Sequence, residues 1–146
     1  MDKELTIYCD GASRGNPGPA SAAYVVMDGQ EVIFEAGQKL GVATNNVAEY
    51  EAILAAHDWL SQNSEIIRNF TAVKFILDSE LATKQLNGIY KIKNQALILL
   101  VTKIKSQQKQ INIPITFTHV KRHKNTRADA LANQALDGNL PAKRGV

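Results

Sequence analysis

Hydrophobic and polar positions alternate from the start of the chain. In "ELTIYCD", Leu5, Ile7 and Cys9 stand against Thr6 and Tyr8, which predicts a strand ending at Asp10. The stretch after it, from Gly11 to Pro19, is rich in glycine and proline and reads as a rigid loop. "ASAAYVVMDGQEVIFEAGQKL" predicts two further strands joined at Asp28-Gly29, a two-residue hairpin signal. The period then becomes helical. Across "TNNVAEYEAILAAHDWLSQN", Ala48, Ala52, Ala55, Ala56 and Trp59 share one face behind a Thr-Asn-Asn cap. "TAVKFILD" returns to alternation and predicts a fourth strand with Asp78 at its end. "SELATKQLNG" reads as a short helix stopped by Asn87-Gly88, and "NQALILLVTKIKSQQKQ" as another. "IPITFTHV" is the fifth strand. In "NTRADALANQALDG", Ala128, Leu131, Ala132, Ala135 and Leu136 fall on one helical face that ends at Gly138.

The order βββ-α-β-α-α-β-α predicts an α/β domain built on one mixed sheet. Three antiparallel strands come first, and two strands reached through helices add in parallel. Residues 1–138 form that single domain, and residues 139–146 are expected to be a loosely held tail. Ligands on such sheets sit at the carboxyl ends of strands.

Composition narrows the class. At 146 residues there is room for one core that hides roughly two thirds of the unfolded surface. Hydrophobic content of 45% beside 21% charge argues against a disordered or fibrous chain. No apolar run approaches the roughly 20 residues that span a bilayer. "MDKELTIY" lacks the basic and apolar regions of a signal peptide, so a cytoplasmic protein is expected. Cys9 is the only cysteine, which leaves no disulfide and no thiolate metal site. The formal charge of +3 permits a polyanionic partner without demanding one. Its distribution is one-sided: from Lys84 to Arg127 there are ten basic residues and no acid, a pattern suited to phosphates as well as to solvated helix faces.

Four acids each have a local explanation. Asp10 precedes a glycine as turn-starting aspartates do. Glu49 follows Asn46 at capping-box spacing. Asp78 stands where aspartate caps helices, and Asp129 lies in the first turn of the last helix. Their joint placement is what the local explanations leave out. Asp10 and Asp78 end strands that, if adjacent and parallel, reach the same sheet edge, and the helix starts carrying Glu49 and Asp129 can face the same crevice. Carboxylates gathered there would repel one another unless a cation is present. Oxygen ligands without neighbouring His or Cys suit Mg²⁺ or Mn²⁺, and such a cluster can hold two ions about 4 Å apart for attack on a phosphodiester.

The segments "YCDGASRGNPGPASAAYVV", "TNNVAEYEAILAAHDWL", "FILDSELATKQLNG" and "HVKRHKNTRADALANQAL" resemble, in the same order, the signature segments of type 1 ribonuclease H. The resemblance runs from about Glu4 to Leu136. It implies a ribonuclease H-like fold with a five-stranded mixed sheet. It also implies hydrolysis of the RNA strand of RNA–DNA hybrids by two Mg²⁺ ions, with Mn²⁺ able to substitute, leaving 5′-phosphate and 3′-hydroxyl ends. By matching position, the catalytic and metal-holding quartet falls on Asp10, Glu49, Asp78 and Asp129. Ser13, Asn16, Thr44, Asn45, Asn46 and Ser79 are the implied nucleic-acid contacts, and the implied protein is a monomer without a membrane partner.

The chain departs from some relatives in three places. Only "IYKIK" separates Gly88 from Asn94, where some bacterial relatives insert a basic protrusion. Glu80 stands where some have glutamine. The loop "KRHKNTR" is short where others carry a mobile histidine, which leaves His123 and Arg122 as equal candidates for an auxiliary role there. Two alternatives stay open: a catalytically silent nucleic-acid-binding module, and an enzyme of this fold that cuts double-stranded RNA or DNA.

Overall fold

A three-stranded antiparallel meander starts the chain: β1 (Glu4–Ser13), β2 (Gly18–Asp28) and β3 (Glu31–Ala43). α1 (Asn45–Gln62) and the four-residue α2 (Ser64–Ile67) lead to β4 (Ala72–Leu77). α3 (Glu80–Leu86), α4 (Gln95–Gln108), β5 (Ile115–His119), α5 (Thr126–Asp137) and the short β6 (Lys143–Gly145) complete the order. The structure is a computed structural model that describes residues 3–138 and the backbone of 143–145. Among the described residues no helix is long and apolar enough to cross a membrane.

The sheet runs β5-β4-β1-β2-β3-β6. β4 lies parallel to β1 and β5 parallel to β4, as expected for strands reached through helices. The mixed sheet of five strands is therefore as the sequence pattern predicts, with one addition. β6 pairs antiparallel with Phe34–Ala36 on the outer edge of β3, so part of the predicted loose tail is a strand. The open backbone groups of an edge strand favour such pairing whatever side chains the added strand carries. The rest of the tail lies outside the described residues.

Two boundaries and one buried face differ from the pattern. β1 does not end at Asp10: its antiparallel pairing with β2 continues to Ser13↔Ala20, while its parallel pairing with β4 stops at Cys9↔Leu77. The rigid loop is accordingly only the four residues between β1 and β2. The hairpin's two turn residues are Gly29 and Gln30, one step beyond the expected pair, because Asp28 still pairs with Glu31. α1 is buried on more than its predicted stripe, with Ile53, His57 and Leu60 inaccessible as well, since it packs against both the sheet and α4.

His57 shows what that burial does. Its ring stacks on Phe75 at 4.6 Å, Nδ1–H donates to the Ile53 carbonyl at 2.7 Å, and Nε2 accepts from Gln108 at 3.2 Å. Burial pushes its pKa down to about 4, so it is a neutral core residue. The opposite sheet face packs on α5 through Ala23, Val25, Ala128, Leu131 and Ala132. The two helical layers leave the carboxyl ends of β1 and β4 side by side.

Candidate active site

Asp10 is the first β1 residue beyond the parallel ladder, and Asp78 follows β4 directly. Asp78 is not the helix cap that its position allows. Ser79 caps α3, its Oγ accepting the Ala82 N–H at 3.1 Å, which leaves the Asp78 carboxylate for other work. Glu49 is likewise not part of a capping box. Thr44 caps α1 by accepting the Val47 N–H at 3.2 Å, so Glu49 lies beyond the first turn, on the side turned to β1. Gly11 lets it get there: a Cβ on Gly11 would lie 2.3 Å from the Ala48 carbonyl carbon and 2.4 Å from the Glu49 nitrogen.

The result is a cluster in which one carboxylate oxygen each from Asp10, Glu49 and Asp78 lies within 4.8 Å of the others. Asp10 and Glu49 are buried and Asp78 is half-buried. Asp129, in the first turn of α5, stands outside that trio but near enough to add to the upward push on the Asp10 pKa. The Asn133 amide holds the Asp129 carboxylate at 3.4 Å.

Burial is the main cause of the electrostatics. It pushes the Asp10 pKa up to about 10, helped by the charges of Glu49 and Asp78, and that of Glu49 up to about 7. The Asp10 side chain, the Gly11 backbone and the charge of Arg122 hold Glu49 down by comparison. Asp10 Oδ1 and Glu49 Oε2 are fully buried and have no hydrogen-bond donor among the described residues. A buried acceptor without a donor costs about 1–3 kcal/mol, and two beside each other on acids that repel are the environment a hard divalent cation satisfies.

This sets the pH response of the metal-free protein. Folded Asp10 keeps a proton that the unfolded chain has lost above about pH 4, so stability is full below that and declines as pH rises towards 10. His57 works the other way, but only below its unfolded value of about 6.5. Between pH 7 and 9.5 the melting temperature in EDTA is therefore expected to fall, and saturating Mg²⁺ to flatten the slope. Calorimetry at closely spaced pH values checks this; a flat curve in EDTA would contradict the placement of Asp10.

Asn125 is a site residue that the sequence pattern passes over. It is buried, donates from Nδ2 to the Cys9 carbonyl at 2.9 Å and to Asp78 Oδ2 at 3.2 Å, and makes no cap bond to α5. It thus ties the ends of β1 and β4 to the start of the last helix. Its signal in sequence is ambiguous, because asparagine before a helix ordinarily means a cap.

The remaining predicted residues divide. Ser13 Oγ donates to the Ala43 carbonyl at 2.8 Å and to that of Gly15, and Asn16 Oδ1 accepts the Asn45 N–H at 3.0 Å. These bonds bring the β1–β2 loop and the start of α1, with Thr44, Asn45 and the exposed Asn46, into one surface beside Glu49. Arg122 and His123 are exposed on a single 3₁₀ turn, and the charge of Arg122 reaches Glu49. Glu80 pairs with Lys84 at 3.1 Å on the surface of α3.

Residues 2–137 match the RNase H family. A ribonuclease HI of Halobacterium salinarum is 39% identical over 132 residues, 89% of this chain and 63% of that protein. A bifunctional protein of Mycobacterium tuberculosis is 38% identical over 92% of this chain, which spans 36% of its length. Among solved structures, LC11-RNase H1 in complex with an RNA/DNA hybrid superposes with a TM-score of 0.86 at 37% identity, covering 94% of this chain and 99% of that one. With the family matched across nearly its whole length and the acidic cluster formed where the parallel pairing of β1 and β4 stops, this chain belongs to the RNase H family.

Proposed function

We propose that the chain is an endoribonuclease that hydrolyses the RNA strand of RNA–DNA hybrids with two Mg²⁺ ions, Mn²⁺ substituting. It would act as a cytoplasmic monomer. The observation that carries this reading is the pair of buried, donor-less oxygens on Asp10 and Glu49 beside Asp78. The similarity to LC11-RNase H1, a protein solved in complex with an RNA/DNA hybrid, supports the substrate.

Asp10, Glu49, Asp78 and Asp129 would hold the metal. When bound, divalent ions supply an activated water for attack on phosphorus and neutralise the departing 3′ oxygen. The protein's own part is positioning and charge. Asp10, Glu49 and Asp78 are grouped closely enough to hold one cation together, while Asn125 fixes the Asp78 carboxylate through Oδ2. Arg122, exposed and close enough for its charge to reach Glu49, offers a cation to the phosphate. Ser13, Asn16, Asn45 and Asn46 would read the 2′-hydroxyl that distinguishes RNA from DNA, with Thr44 near a DNA-strand phosphate and Ser79 a further nucleic-acid contact.

The test is cleavage of hybrid, RNA duplex and DNA duplex of one sequence at matched salt in Mg²⁺. Cleavage of the RNA strand of the hybrid, leaving 5′-phosphate ends, is expected. Hybrid binding without cleavage in either metal would instead identify a silent binding module, and preferential cleavage of a duplex would reassign the substrate.

A further inference from the structure

Glu35 is a carboxylate on an apolar sheet face. It lies opposite Val25 in the β2–β3 register, and its side chain is turned to the α5 side, where Ala23, Val25, Ala128 and Leu131 pack. Only 3% of it is exposed. Arg127, the second residue of α5, reaches across to it as a fork: Nε donates to Oε2 at 3.3 Å, and Nη2 donates to Oε1 at 3.2 Å and to Oε2 at 3.1 Å.

Stability alone is a poor reason for this arrangement. Desolvating a carboxylate offsets much of what the pair gains, and well-packed apolar residues of similar size commonly serve as well or better. What a forked pair adds is direction, because the planar guanidinium meets both oxygens in one orientation. The start of α5 needs that direction. Its capping residue makes no side-chain cap bond: the Asn125 Nδ2 is turned to Cys9 and Asp78, and the Oδ1 that would accept a backbone N–H has no partner among the described residues. No side-chain cap therefore fixes the first turn of the helix, which carries Asp129 two residues beyond Arg127.

We infer that the Glu35–Arg127 pair is a positioning clamp that sets the first turn of α5 so that the Asp129 carboxylate meets the acidic cluster. Asn125 ties the turn to β1 and β4, and Arg127 ties it to β3, two anchors on different strands. The clamp deepens the active-site reading and rests on it. Neither residue touches substrate; both act through Asp129.

The experiment uses the full chain. Mn²⁺ binding is measured by titration calorimetry without nucleic acid, alongside kcat and KM on a hybrid and the melting temperature in EDTA. Arg127→Ala and Glu35→Gln are expected to weaken Mn²⁺ binding about tenfold, the range for residues that orient metal ligands, and to lower kcat similarly at limiting Mn²⁺. KM for the hybrid stays within about twofold, since no phosphate contact is lost. Arg127→Lys recovers only part of the affinity, because an ammonium cannot span both oxygens. Asp137→Asn breaks the Arg14 pair at the other end of α5 and leaves Mn²⁺ binding unchanged. Unchanged Mn²⁺ affinity with a lowered melting temperature would reduce the pair to packing, and a raised KM with unchanged affinity would make Arg127 a phosphate contact; either overturns the clamp. Should the unaltered protein bind no Mn²⁺ and cleave nothing, the active-site reading itself fails. If it binds and cleaves while Arg127→Ala matches it, the clamp alone fails.

Discussion

Asp10→Asn is expected to abolish cleavage of a hybrid while making the metal-free protein more stable. The two halves have one cause. Asp10 shares one close cluster with Glu49 and Asp78, so the proposed metal site loses one of its three grouped carboxylates. Metal-derived charge stabilisation amounts to several kcal/mol at the transition state, and losing most of it lowers kcat roughly a thousandfold. In the metal-free fold the same carboxyl is a burden: it is 1% exposed, its Oδ1 has no donor, and burial and its acidic neighbours push its pKa up to about 10. An asparagine carries no charge at any pH and presents an amide to Glu49 or Asp78. Relief of one unsatisfied buried acceptor is worth about 1–3 kcal/mol, which raises the melting temperature by several degrees, about 4 °C for each kcal/mol in a domain of this size. The gain should widen from pH 7 to 9.5, where folded Asp10 in the parent protein keeps a proton that the unfolded chain has lost. Activity assays in Mg²⁺ and calorimetry in EDTA measure both. A variant that loses activity and stability together would mark Asp10 as a structural residue.

Residues whose local roles are filled by neighbours were the legible part of this site. Asp10, Glu49, Asp78 and Asp129 each have a turn or cap explanation, and the structure shows those explanations failing for two of them: Thr44 and Ser79 are the caps, not Asn46 with Glu49 nor Asp78. The sheet was legible too, because period-two alternation and helix-length connections dictate which strands run parallel. What stayed hidden depends on tertiary approach. Asn125 looks like a cap, and only the ends of β1 and β4 converging on it give its amide other partners. Glu35, by simple alternation, shares a face with Ile33. A register irregularity in the β2–β3 ladder resets the count, so that Val32 and Glu35 both face α5. β6 leaves no periodic trace in three residues, and its strand state comes from the edge of β3.

The same dependence on approach makes Gly11→Ala the most damaging single methyl that the site could receive. Gly11 is in β1 with no left-handed backbone angle, so backbone freedom is not why it is glycine. The reason is space. An added Cβ would lie 2.3, 2.4 and 2.6 Å from the Ala48 carbon, the Glu49 nitrogen and the Ala48 oxygen, all backbone atoms of α1. No side chain can swing aside, so α1 must retreat from β1 or β1 must bend. Overpacking a core costs about 1–3 kcal/mol and more where backbone must move, so about 3 kcal/mol and a fall in melting temperature on the order of 10 °C are expected. Glu49 moves with α1. A displacement of about 1 Å of a catalytic group costs roughly a hundredfold in rate, so kcat should fall by that much even at temperatures where the variant is fully folded. Gly88→Ala provides the comparison: Gly88 has φ +77 but nothing within 4 Å of its Cβ position, so the change costs about 1 kcal/mol of backbone strain and leaves kcat alone. If Gly11→Ala retained both the melting temperature and kcat, the close seat of α1 on β1, and with it the route by which Glu49 reaches Asp10, would be wrong.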